Sequence, residues 1–561
     1  ISDAQDGITL KGTVSDSATG MSLAGVVIRI DAGAVVYNTD ALGNFNIPGL
    51  HAGSHRLVCY LPGYKSKTFT FVANETGQKY VKVMLVPAVI SLSEVEITDK
   101  RDISQTMTSI SQIDKLLRPS NSAQDLLRLV PGLFIAQHAG GGKAEQIFLR
   151  GFDNDHGTDF LVSIDGMPVN MVSHAHGQGY ADFHFVIPEI VDKMNIYKGP
   201  YSARLGNFAT SGAGEFFTKN AIDKSEVKFE YGAFDTYRAV ALLDLLGDRH
   251  LFTKNDEHAY IAAEYVFTNS YFESPQNFNR YNVFGKYSAR LNERTSLNFS
   301  ASAFNASWYA SGQIPERAIE NGTISRFGSI DNKEGGNTLR SNVNLAITSA
   351  LKENGFVKNQ FYYSHYRFDL YSNFTFFLND SINGDGINQR ENGRNLLGYN
   401  GTIEKNYKLA GKESKTVFGA GVRSDMGAIT LRHSVKRTPG DTIVAGDLSE
   451  QNISTWADQT VQLTGKFTVN AGLRFDYFLF NFQHVNADSI SGQKNKGLVS
   501  PKLNLVYDVL PDFQLFVRSG IGFHSNDSRA VVSGEAGIAL PRAYGAEAGS
   551  VFRIAKKLLF H

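Results

Sequence analysis

From Phe467 to Tyr477 the chain changes character at every residue. Phe467, Val469, Ala471, Leu473, Phe475 and Tyr477 are apolar or aromatic, and Thr468, Asn470, Gly472, Arg474 and Asp476 between them are polar or glycine. Leu503, Leu505, Tyr507 and Val509 alternate in the same way with Lys502, Asn504 and Asp508, Val506 being the exception, and Phe299, Ala301 and Ala303 with Asn298, Ser300 and Ser302. Successive side chains of a strand point to opposite faces, so this period fits one face to lipid and the other to water. The pattern recurs from Glu226 onward. Tight connections at 291–295, 352–355, 464–466 and 510–512 alternate with long polar ones near 306–336, 371–395, 426–450, 481–497 and 523–542. That rhythm predicts an antiparallel transmembrane β-barrel with turns at one end and loops at the other.

Upstream the pattern differs. Residues 7–86 carry short β-branched runs (GITLKGTV, AGVVIRI, HRLVCYL, KYVKVMLV) separated by turn signals, the spacing of a small β-sandwich. Residues 87–101, PAVISLSEVEITDKR, read as a polar-flanked linker with an extended core, Glu94-Val95-Glu96-Ile97-Thr98. NSAQDLLRLVPGLFI (121–135) predicts a helix with Asn121 or Ser122 as N-cap and Pro131 at its end. The expected fold is therefore mostly β: a sandwich over 1–87, a linker over 88–104, an α+β domain over 105–220 and barrel strands over 221–561.

Composition agrees with this and narrows it. The 561 residues include 53 Gly, 39 Phe and 24 Tyr but only 14 Pro, and Phe and Tyr favour strands. The 55 basic and 55 acidic residues cancel, so no nucleic-acid partner is expected. The single Cys59 excludes an intrachain disulfide framework. No run of 18 apolar residues occurs, which excludes a transmembrane helix but not a barrel.

Two resemblances follow from these residues. GTVSDSATGMSLAGVVIRI, TDALGNFNIPGL and PGYKS resemble the carboxypeptidase-regulatory-like domain, which implies no peptidase activity. Residues 105–220 resemble the plug domain of TonB-dependent outer-membrane transporters. The helix ending in Pro131-Gly132 comes first, then Arg150-Gly151 and the turn Asp165-Gly166-Met167-Pro168. VDKMNIYKGPYSARLGNFATSGAGEFF follows, with Lys198 where the family usually has Arg.

The resemblance implies a receptor in the outer membrane of a Gram-negative bacterium, its N-terminal domain periplasmic. It would import an external ligand with energy from TonB, ExbB and ExbD, and would contact outer-membrane lipids. It places a TonB box at Glu94, Val95, Glu96, Ile97 and Thr98, a segment that pairs with TonB as an added strand. Such barrels have about 22 strands, whereas about fourteen are predicted here before a further one begins at KKLLFH. The chain is therefore expected to hold the N-terminal part of a longer barrel, and not to transport as it stands. The rivals are a glycan importer partnered with a surface lipoprotein and a signalling receptor. No enzyme is expected, because no nucleophile–base–acid order, phosphate loop or carboxylate pair is found.

Candidate chemistry concentrates in the plug, in VSHAHGQGYADFHF (172–185). His138, His156, His174, His176, Asp182 and His184 are the candidate ligand-binding residues. In an extended segment His174 and His176 project to one side, about 7 Å apart, within reach of one metal ion, with Asp182 or His184 as a third ligand. The competing reading is polar packing of the plug against barrel walls, which neutral histidine serves well. A calcium-like loop is sketched by Asp380, Asn383, Asp385 and Asn388, without EF-hand spacing. Trp308 and Tyr309 are expected in the aromatic girdle at the membrane surface. No cofactor is required; a metal ion or metal chelate would be cargo.

Overall fold

The computed structural model describes residues 8–17, 22–23, 26–31, 36–40, 42–61, 67–73, 78–85, 107–110, 120–137, 141–222, 224–247, 249–253, 256–352, 354–378, 380–485, 491–510, 512–554 and 558–560. The linker segment Glu94–Thr98 and His138 lie outside these residues.

The N-terminal module is a sandwich of two sheets. One sheet orders Asn44–Leu50, Ile8–Asp16 and Gln78–Leu85; the other orders Val36–Asn38, Val27–Ile30, Gly53–Tyr60 and Lys67–Ala73. Along Ile8–Asp16 every second residue is buried, as a strand with one face on a core requires. Leu10, Val14, Ile28, Ile47, Leu57, Cys59 and Leu85 form that core, all fully out of solvent.

In the plug, a five-stranded sheet orders Met167–Pro168, Phe160–Ile164, Gly212–Thr218, Val191–Lys198 and Met107–Ile110. Phe160–Ile164 runs parallel to Gly212–Thr218, so the chain must cross over between them. The crossing segment contains the histidine-rich stretch. The Arg-Gly and Asp-Gly motifs are both tight hairpin turns. Arg150 and Gly151 have φ of 50° and 83°, and Asp165 and Gly166 have 48° and 82°, the two consecutive left-handed residues such turns need. Asp165 fixes its turn further, accepting from the Thr218 N–H at 2.9 Å and the Thr218 hydroxyl at 2.5 Å. The predicted helix forms as a 3-10 helix, Ala123–Leu129. The Asp125 carboxylate accepts from the Ser122 N–H at 3.1 Å at its start, and Pro131 follows its end.

A second plug sheet joins Leu133–Ala136, Gln146–Leu149 and Phe152–Asn154, and the described strands from Glu226–Gly232 to Leu558–Phe560 form one antiparallel sheet of fifteen, in sequence order. The predicted alternation is realised with the apolar side outward. Leu473 is 54% exposed and Phe475 43%, while Arg474 and Asp476 are buried and ion-paired at 2.6 Å. The predicted tight connections are all present, and several predicted loops are shorter than expected, the one near 481–497 being confined to the residues between Phe467–His484 and Gly492–Leu510. Between Lys412–Val435 and Thr438–Gln462 the ladder continues to a turn at Lys436-Arg437, with φ of 50° and 68°, where a loop over 426–450 was expected. The loop near 371–395 contracts to 374–385. Both strand pairs run past the end of the alternating pattern. Where both faces meet water the polarity alternation vanishes although the backbone ladder persists, so the sequence reads as loop.

Trp308 departs from the girdle position. It is buried among the plug residues, and a Cβ at Gly142 would run into its ring, so its contact is with the plug and not with lipid.

The orientation of the barrel strands gives a first prediction. Leu473→Arg puts a charge on the outward face and should lower unfolding stability in a bilayer by about 2–4 kcal/mol if it sits near mid-depth. Leu473→Phe should change it little. Urea titration of the protein refolded into vesicles measures both, and equal stability of the two variants would contradict the assigned face.

Candidate functional site

The crossing segment 168–180 is shaped first from within the plug. The buried Asn170 side chain accepts from the Val162 N–H at 2.7 Å, and its amide nitrogen is shared among the carbonyls of Phe160, Gly157 and Gly179 at 2.9–3.1 Å. Gly179, at φ 78°, allows the return of the loop.

Barrel side chains then grip the segment by its backbone. Arg340 donates to the carbonyls of Val169 (3.2 Å) and Pro168 (3.3 Å), Arg423 to Asn170 (2.7 Å) and Arg529 to His174 (2.8 Å). Arg394 donates to the Ser173 carbonyl, and Gln389 to that of Ala175 at 3.1 Å. Glu391 accepts from the Ala175 N–H at 2.8 Å. The cations are themselves balanced: Arg394 lies 3.0 Å from Glu391, and Arg423 2.6 Å from Asp425. Carbonyls that would otherwise be buried without donors are thereby satisfied. Sequence reasoning missed these residues, because Glu391 and Arg394 fall in the stretch near 371–395 that reads as a loop.

The structure separates the candidate histidines into three settings. His174 is fully buried, stacked on Tyr180 with ring centres 4.3 Å apart. Its Nδ1 accepts from the His176 N–H at 3.1 Å, so its Nε2 carries the hydrogen that meets the Tyr366 hydroxyl at 3.3 Å. Burial first, then the Arg394 charge, hold its pKa well below the ordinary imidazole range. His184 pairs at 2.7 Å with Asp182, which also accepts the His184 N–H at 3.0 Å. His176 turns instead to His156, with Nε2 to Nε2 at 3.1 Å. The expected trio of His174, His176 and His184 does not form. Among the described residues no group of three or more His, Cys, Asp and Glu side chains is arranged as a metal site. In the strand-like spacing assumed from sequence, His174 and His176 would share a face; the bent loop sends them apart.

The calcium-like loop is closed on itself. Asp380 accepts from the N–H groups of Ile382 and Asn383, both at 2.9 Å, and Asp385 accepts from the Thr375 hydroxyl. Those oxygens stabilise a turn, as Asp side chains commonly do.

His156 and His176 line a cavity of about 390 Å³ together with Lys143, Asp155, Glu334 and Phe374. Plug residues supply one wall, and the barrel connections 312–313 and 373–376 supply another. Burial, followed by the charges of His156 and Lys143, pushes the His176 pKa down to about 3, so this ring is neutral at physiological pH. Near the cavity wall Glu145 is buried, with Oε2 unpartnered, and desolvation raises its pKa to about 8.

That shift fixes a pH dependence. The unfolded carboxyl ionises near 4.5 while the folded one stays protonated to about 8, so Glu145 makes stability fall as pH rises through this window. Glu145→Gln should therefore raise the denaturation midpoint at pH 8 relative to the unsubstituted protein and leave it nearly unchanged at pH 4.5. An equal shift at both values would show that Glu145 is not held protonated.

Three family models match the chain. Residues 99–213 match the model of the TonB-dependent receptor plug domain, residues 271–539 the TonB-dependent receptor-like β-barrel, and residues 9–86 the carboxypeptidase regulatory-like domain. Among solved structures the chain is similar to the unliganded ferric citrate transporter FecA, with 12% identity, a TM-score of 0.69, and coverage of 80% of this chain and 68% of that one. It is also similar to P. aeruginosa FpvA bound to a ferric pyoverdine, at 14% identity and a TM-score of 0.64, covering 81% of this chain and 61% of that one. The ferric yersiniabactin uptake receptor FyuA from Yersinia pestis matches at 15% identity and a TM-score of 0.61, with coverage of 81% and 70%. These families and neighbours are receptors and transporters, not enzymes. With its plug, its lumen-facing polar strands and its apolar outer face, the chain belongs to the TonB-dependent outer-membrane receptors.

Proposed function

We propose that the protein captures a small external ligand, a metal ion or metal chelate, in the cavity over the plug and delivers it to the periplasm. The observation that carries this reading is the cavity itself. It is about 390 Å³, large enough for a small chelate, and it is walled jointly by plug and outer connections. Movement of the plug would change that wall, so binding and plug rearrangement are coupled by geometry. Neighbours described as carriers of ferric citrate and ferric yersiniabactin support the choice of cargo class.

The energy would come from TonB driven by ExbB and ExbD, acting on the segment Glu94, Val95, Glu96, Ile97 and Thr98 by strand addition. Strand pairing needs backbone N–H groups, which proline lacks. In the receptor at full barrel length, Val95→Pro/Ile97→Pro should abolish uptake of radiolabelled zinc or ferric chelate into cells while leaving surface binding of the same label intact. Uptake at the unsubstituted rate would reject coupling through this segment. Uptake of oligosaccharide in preference to any metal would favour the glycan-importing alternative.

A further inference from the structure

His156 and His176 are oriented by their second ring nitrogens. Gln389 donates from its amide nitrogen to the Ala175 carbonyl at 3.1 Å, which leaves its Oε1 facing His176 Nδ1 at 2.9 Å. An amide oxygen only accepts, so His176 carries its hydrogen on Nδ1. His156 Nδ1 faces the Ala144 carbonyl at 2.8 Å, which demands a hydrogen there as well. As neutral rings, both residues then present Nε2 lone pairs, and these two atoms face each other at 3.1 Å. Two lone pairs at that distance repel unless a cation mediates between them. The backbone conformation at His156, φ 53°, is held despite its cost in the left-handed region.

The same geometry fits two ligands of one metal. An ion about 2.05 Å from each imidazole nitrogen, with the nitrogens at the observed separation, subtends roughly 100°, between tetrahedral and square-planar values. Both rings have the outer partner usual for metal-bound histidine, an acceptor on the other N–H. Asp155 Oδ1 lies 3.5 Å from His156 Nε2, and the cavity is lined by Asp153 and Asp155 as well as by Glu334 and Lys143, which interact with each other.

We propose that His156 and His176 bind one divalent transition-metal ion of borderline softness through Nε2, as cis ligands. The remaining coordination positions open into the cavity, to water or to the donor atoms of a small organic chelator. Two protein ligands leave the ion exchangeable, as cargo must be, where a closed four-ligand site would retain it. A shared proton is the alternative occupant, and it would give an imidazolium instead of a metal site. This inference names the cargo of the import reading above and rests on it for biological meaning, but its chemistry is testable alone.

The test uses the protein purified from outer membranes in detergent, with Zn²⁺ and Cu²⁺ as probes. Electron paramagnetic resonance of the Cu²⁺ form should show splitting from two imidazole nitrogens. Zn²⁺ titration calorimetry should show at least tenfold weaker binding in His156→Gln and in His176→Gln. Gln389→Leu, which removes the outer partner of His176, should weaken binding about 10–100-fold. His433→Gln, on an exposed strand end, should change nothing. A Cu²⁺ spectrum without two nitrogen ligands overturns the proposal with no variant needed, as does unaltered Zn²⁺ affinity in both histidine variants. Metal binding without uptake in TonB-competent cells that carry the receptor at full barrel length would sink the import reading and leave the site standing. Uptake that persists in both histidine variants would sink the site and leave import standing.

Discussion

Everything in the lumen follows from one constraint: a barrel whose outer face is apolar must turn its polar side chains inward, and those side chains need partners away from water. The plug supplies them with its backbone. Arg340, Arg394, Arg423 and Arg529 each donate to a carbonyl between Pro168 and His174, and Arg474 reaches the Arg204 carbonyl at 3.1 Å. Guanidinium suits this because its donors are fixed in a plane and remain charged under burial. Charged hydrogen bonds of this kind contribute more than neutral ones, and leaving any partner unmet would cost at least as much.

A grip on carbonyls has a consequence for the side chains of the same segment. Because the backbone is anchored, the side chains from Ser173 to Tyr180 are aimed by the barrel wall and not only by the plug. His174 is turned into an aromatic stack with Tyr180, and His176 is directed by Gln389 toward His156 and the cavity. Residues that the chain separates by roughly twenty positions thus meet, while neighbours two positions apart serve different ends. The bent loop, required by the parallel pairing of Phe160–Ile164 with Gly212–Thr218, is what makes this exchange of partners possible.

Plug and barrel also exchange charge. Glu189 accepts from both terminal nitrogens of Arg238 at 2.7 Å, and Arg238 is shared with Glu264 at 2.8 Å. Arg150, in the left-handed turn, reaches Glu547 at 2.5 Å, beside Arg518 at 2.8 Å. Arg238 and Glu264 are almost wholly shielded, so losing a partner there leaves a buried charge less well balanced, whereas the exposed Arg150 is held only weakly. Any rearrangement of the plug would have to release these contacts.

The sequence by itself determined whatever depends on local periodicity and turn chemistry. The two-residue alternation set which face of each strand meets lipid. The Asp165-Gly166 pair became a left-handed hairpin turn because such turns ask for those residue types, whereas Arg150, read as part of a strand, takes φ 50° without that signal. Strand extent failed where both faces are polar, at Lys436-Arg437, since the hydrogen-bond ladder leaves no trace in polarity. Trp308 failed because an aromatic residue near a strand end looks the same whether its neighbour is lipid or Gly142. The site was legible only in part: the plug histidines stood out, but which of them meet was decided by tertiary structure. His156 and His176 converge because side chains far away in sequence, Gln389 and Arg529 among them, fix a loop that no local rule describes.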